Sequence, residues 1–161
     1  MFESVQINPW GCIAAGVSAF ALGGLWFSPM LFSKTWADSV RASGLSLGKP
    51  QIAMPISLLG SIAASFLLAV LFSLSGFDST GRGFLGSLVL AAIVSMYSLA
   101  DSAFSSSITG RWWWIQWSHR FLAVLLMGTI IGASAPEKIT VENALEKATQ
   151  ALEKNIEGLG K

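Results

Sequence analysis

The chain has 161 residues, 12% of them charged, with a formal net charge of +1 and a mean hydropathy of +0.61. A soluble domain this short lacks the polar surface to cover itself at that composition, and a near-neutral chain with no basic run interleaved with aromatics offers nucleic acid no footprint. One cysteine, Cys12, excludes an intramolecular disulfide; with a single histidine it leaves no His/Cys cluster for zinc, haem or an iron–sulfur centre, so no metal or cofactor is expected.

Charge is confined to short stretches. Ser4 to Ser33 is a run of 30 uncharged residues and Pro50 to Phe77 one of 28; Gly83 to Gly110 is broken only by Asp101, and Trp112 to Pro136 only by Arg120 and His119. A transmembrane helix needs about 20 apolar residues, and the runs are continuous rather than alternating, which favours helices over barrel strands. The expectation is an all-α, four-helix transmembrane bundle over 1–136 and a charged amphipathic tail helix over 137–161.

The first span is expected over 9–28, opened by Pro9 and closed before Pro29. It is too long for a signal-peptide core and has no Lys or Arg ahead of it, so it reads as a mature helix. Trp26, Phe27 and Trp36 form an aromatic belt at its exit, where Ser28 can satisfy a freed backbone group and Lys34 can reach headgroup phosphate. Ser33 to Lys49 reads as a polar loop starting with an interfacial turn. The second span is expected over 52–74 with Pro55 in its first turn. A short loop leads to the third, over 84–106, and a tight one centred near Thr109 leads to the fourth, over 113–133; short loops imply antiparallel neighbours. The Lys and Arg balance leans towards loops 1 and 3 in the cytoplasm and both termini outside.

Asp101 and Arg120 lie eight residues before and eleven after that centre, about 12 and 16 Å from the turn at 1.5 Å per residue. A lipid-facing charge near the midplane costs at least about 2.5 to 3.5 kcal/mol, so the expectation is a buried Asp101–Arg120 pair joined by His119, Tyr97 and Gln116. Such a layer either locks the third span to the fourth or serves as a relay or binding site for a proton, ion or small solute, with His119 titrating near neutral pH. A triad drawn from Asp101, His119 and Ser118 or Ser102 has no nucleophile elbow behind it.

Ala15, Ala19 and Gly23 recur every four residues, as do Gly60 with Ala64 and Gly128 with Gly132, giving faces for packing within the bundle or against a second copy. Trp112, Trp113, Trp114 and Trp117 read as an interfacial anchor. In the tail, Val141, Leu145, Ala148, Leu152 and Leu159 form a heptad seam among Glu and Lys. A helix of about 18 residues is marginal in water and needs a partner for that seam.

The stretch Gly23-Gly24-Leu25-Trp26-Phe27-Ser28-Pro29-Met30-Leu31-Phe32-Ser33-Lys34-Thr35-Trp36 resembles the signature that ends the first helix in the bacterial membrane family catalogued as domain of unknown function 1761. Arg120 with Gly128 and Gly132 looks similar in pattern. The resemblance implies four spans, a bacterial inner-membrane location and no established activity, and it leaves out the tail. The leading functional reading is a non-enzymatic integral membrane protein that works by association, with a homo-oligomeric or heterologous membrane-protein partner reached through the tail or the small-residue faces. The alternative is an oligomeric transporter or sensor using Asp101, His119 and Arg120.

Overall fold

The structure is a computed structural model that describes residues 5–42, 44, 48–104, 110–136, 145 and 148–154, with side chains outside the description at 98–104 and 110–112. Five helices follow one another: α1 (Pro9–Trp26), α2 (Ser33–Ala42), α3 (Pro50–Ser75), α4 (Thr80–Phe104) and α5 (Gly110–Ala133). Residues 145 and 148–154 are helical as well.

Local chemistry sets the ends. The Asn8 side chain caps α1, its Oδ1 accepting from the Trp10 and Gly11 amides at 3.1 and 3.2 Å, and Pro9 fills the position where no amide is needed. Pro50 plays that part for α3, which therefore begins two residues before Ile52. α3 stops at Gly76, whose left-handed backbone (φ 73°) suits glycine and lets its amide return to the Phe72 carbonyl. Ser79 accepts from the Arg82 amide at 3.4 Å as α4 begins.

The stretch expected as a polar loop contains a ten-residue helix, α2. Val40 and, one turn earlier, the half-buried Trp36 turn towards the bundle, while Lys34, Asp38 and Arg41 are exposed. Sequence reading placed only an interfacial turn here because a ten-residue amphipathic segment opening with Ser33, Lys34 and Thr35 lacks the length of a span.

α1 packs between α3 and α5, and α5 also meets α4 and α2. The core joins Cys12, Ala15 and Ala19 of α1 to Leu68, Ala69 and Phe72 of α3 and Ala123, Met127 and Ile131 of α5. Gly16 lets α1 approach so closely that a Cβ there would stand 2.6 Å from the Ile62 Cα. Beside it the fully buried Ser65 hydroxyl is shared between the carbonyls of Cys12 (2.6 Å) and Ile62 (2.7 Å). α4 meets α5 backbone to backbone, Gly83 against Gly128 and Gly132, and Gly128 against Ser87. Of the three small-residue faces, those of α1 and α5 are thus used inside the chain. Gly60 has nothing within 4 Å of a would-be Cβ, and Ala64 is exposed.

Large apolar side chains point outward all along α3 and α4, among them Met54, Leu59, Leu67, Leu85, Val89 and Met96. Water would not tolerate such a surface on a monomer. Three helices are long and apolar enough to cross a membrane: Pro9–Trp26, Pro50–Ser75 and, in α4, Thr80–Tyr97. The expected fourth, α5, has the length at 24 residues but falls outside that group, because Gln116, His119, Arg120 and the tryptophans crowd its first half.

Candidate functional site

The end of α1, the start of α2 and the first half of α5 converge on one junction. The Trp26 indole N–H donates to the Ile115 carbonyl at 3.1 Å, pinning the exit of α1 to α5. Around this bond the rings pack closely: Trp26 with Phe32 at 4.9 Å between centroids, Phe27 with Trp36 at 5.4 Å, and the His119 imidazole 5.1 Å from Phe27 and 6.3 Å from Trp26. Gly23 makes room for the imidazole, since a Cβ there would come within 3.0 Å of His119 Nε2. Two sets of residues that sequence reading kept apart, His119 with Gln116 and the exit motif Trp26, Phe27, Ser28 and Trp36, are therefore neighbours. Pro29 and Lys34 are exposed beside them.

The junction is polar in an unusual way. Ser28 Oγ, Trp36 Nε1, Gln116 Oε1 and His119 Nε2 are all buried, and none has a hydrogen-bond partner among the described residues. Leaving such a group unsatisfied costs about 1 to 3 kcal/mol, so a hydrogen-bonding guest such as water would stabilise this packing. Gathered around an aromatic wall, these groups can both donate and accept.

On the other side of α5 a groove runs against α4, lined by Ala91, Val94, Ser95, Trp117, Arg120, Phe121 and Val124. It follows from the glycine register: with Gly83 beside Gly132 and Ser87 beside Gly128, the next turns set Ala91 by Val124 and Ser95 by Arg120. Ser95 donates to the Ala91 carbonyl at 2.5 Å. Trp117 stacks on Trp113 (5.7 Å, 15° between planes) and leans on Phe121 (5.4 Å), and its own indole N–H is buried without an acceptor among the described residues.

Of the polar layer expected between α4 and α5, the described members do not gather at one place. Arg120 is exposed, as is Tyr97 at 81%; the small-residue face of α4 takes the contact with α5 and turns Tyr97 outward. His119 and Gln116 belong to the α1 junction instead. The Asp101 side chain lies outside the described residues, and so does its expected pairing with Arg120; along α4, position 101 is six residues, about 9 Å, beyond the Ser95 that stands by Arg120. Ser118, named for a triad, donates to the Trp114 carbonyl at 2.6 Å within its own helix. Among the described residues no three of His, Cys, Asp and Glu gather as metal ligands.

In the tail, Leu145 and Leu152 are 62% and 65% exposed and Ala148 is exposed. Val141 and Leu159 of the expected seam lie outside the described residues.

Fold and surface define an all-helical protein with membrane-compatible helices. The chain belongs to the family described as Protein of unknown function (DUF1761), whose sequence profile matches residues 10–132. That match takes in α1 to α4 and nearly all of α5 and stops before the tail. No curated protein and no solved structure matches the chain.

Proposed function

We propose that the protein is a small integral membrane protein of four spans, α1, α3, α4 and α5, that works by association, with the bundle as anchor and the tail as the helix that engages a second copy. The observation that carries this reading is the tail: Leu145 and Leu152 stand exposed seven residues apart, Ala148 lies between them, and every described residue from 148 to 154 is exposed. A heptad-spaced leucine seam on an otherwise charged helix is stable in water when another seam covers it. The open Gly60 and Ala64 positions of α3 supply a second contact face inside the membrane.

The test is the mass of the protein in lipid nanodiscs, by native mass spectrometry, with and without residues 137 to 161. An oligomer that dissociates on truncation supports association through the tail. A monomer in both forms rules it out, and an oligomer indifferent to truncation moves assembly to the α3 face. A second reading, a sensor or carrier of a small polar solute or proton, draws its support from the four unpartnered polar atoms at the α1 junction. It calls for water to reach His119, which exchange of the Trp36 indole hydrogen measures.

A further inference from the structure

The α4–α5 groove has a chemistry that neither packing nor tail-mediated association uses. Arg120 carries a permanent charge on the apolar surface of a helix, is exposed, and makes no ion pair or hydrogen bond among the described residues. The ring of its neighbour Trp117 walls the groove, with its indole nitrogen buried. Among the described residues no carboxylate lines the groove, and the Ser95 hydroxyl hydrogen is already committed to Ala91. The Arg120 guanidinium is thus left with nothing to donate to, beside an apolar wall that includes Val94, Phe121 and Val124.

Depth adds to this. Trp26 bonds to Ile115 at the exit of α1, and Arg120 lies five residues further along α5, about 7 Å deeper. A guanidinium at that depth reaches the headgroup region by extending along the helix. The same end of the molecule exposes Lys34, Arg41 and Lys49, which raises the local concentration of anionic lipid.

We propose that the α4–α5 groove is a binding site for one anionic phospholipid, whose phosphate accepts hydrogen bonds from Arg120 while an acyl chain lies along Val94 and Val124. Arginine suits phosphate through its planar fork of donors, and the apolar strip below suits a hydrocarbon chain. A zwitterionic lipid offers the same phosphate, but its ammonium group is repelled by Arg120 and the exposed lysines, so the site selects for net negative charge.

The site rests on the membrane reading proposed above, and its test keeps the two apart. The full-length protein is placed in nanodiscs of equimolar phosphatidylglycerol and phosphatidylcholine, and the lipids that stay bound on release are counted by native mass spectrometry. Failure of the protein to enter nanodiscs overturns the membrane reading and the site with it; entry without lipid preference overturns the site alone. The wild type is expected to retain phosphatidylglycerol about tenfold over phosphatidylcholine, the equivalent of one charge-assisted hydrogen-bond pair. Arg120→Gln should remove that preference, Arg120→Lys should keep part of it, and Arg82→Gln, at the opposite end of the bundle where Arg82 pairs with Asp78, should leave it unchanged. Arg120→Met keeps the unbranched stem of the side chain and deletes its charge and donors, and should remove the preference as well, which keeps the test decisive if Arg120→Gln does not fold. An unchanged preference in either Arg120→Gln or Arg120→Met overturns the proposal. So does a loss of preference in Arg120→Gln accompanied by a fall in oligomer mass, which would make the groove a contact between copies.

Discussion

Glycine in a helix ordinarily costs about 1 kcal/mol relative to alanine, so a helical glycine that packing does not require should be improvable. The chain holds both kinds. At Gly60 a methyl group meets nothing within 4 Å, whereas at Gly16 it would collide with the Ile62 backbone. Gly60→Ala is therefore expected to stabilise the monomeric bundle by up to about 1 kcal/mol. Gly16→Ala is expected to lose about 1 to 3 kcal/mol from overpacking and to strain the Ser65 hydroxyl bond to Cys12. Unfolding in mixed micelles of increasing denaturing-detergent fraction measures both, and equal shifts for the two variants would show that α1 does not approach α3 as described.

At the level of helices, the α4–α5 pair hangs on Gly83, Ser87, Gly128 and Gly132. A valine at 128 would meet the Ser87 side chain and push α4 off α5 without touching α1 or α3. Gly128→Val should accordingly speed hydrogen exchange of α4 amides by tenfold or more while leaving those of α1 within a factor of about two; uniform acceleration along the chain would contradict that separation. How much of this was legible beforehand depended on which question was asked. Uncharged run lengths and proline positions exposed an all-helical chain, and the exit motif from Gly23 to Trp36 exposed the family. The glycine and alanine spacings marked three close-packing faces, but not that the Gly60 face would stay open, because spacing reveals that a face is smooth and says nothing of who lies against it. For the same reason the grouping of His119 with Phe27 and Trp36 was not readable. Loop length made α4 the neighbour of α5, so Arg120 and Asp101 were set together, whereas nothing local announces that α1 runs along the opposite side of α5. The orphaned indole of Trp117 was equally hidden, since four tryptophans at a helix start look alike until the register decides which one faces the groove.

For the molecule as a whole, the ends of the bundle bear on the number of crossings. The Asn8 side-chain amide donates to the Ser134 carbonyl at 3.1 Å, and the Gln6 amide donates to Ser73 Oγ at 2.9 Å, so the start of α1 and the ends of α3 and α5 share one level. With four crossings, residues on either flank of the bundle face the same compartment. In a Cys12→Ala background, single cysteines at Gln6 and Ala135 should react with a membrane-impermeant maleimide from the same side of sealed vesicles. Labelling from opposite sides would mean that α5 does not cross.

The Asn8–Ser134 hydrogen bond joins positions separated by 126 residues, and so makes the bundle nearly a closed ring of chain. A ring can be reopened elsewhere. A short linker from the end of α5 back to the start of α1, with a new break at the exposed Gly44 between α2 and α3, gives a circularly permuted protein in which every helix keeps its neighbours and its direction. Its termini would emerge at the opposite end of the bundle, so a reporter fused there would sit across the membrane from one fused to the natural chain.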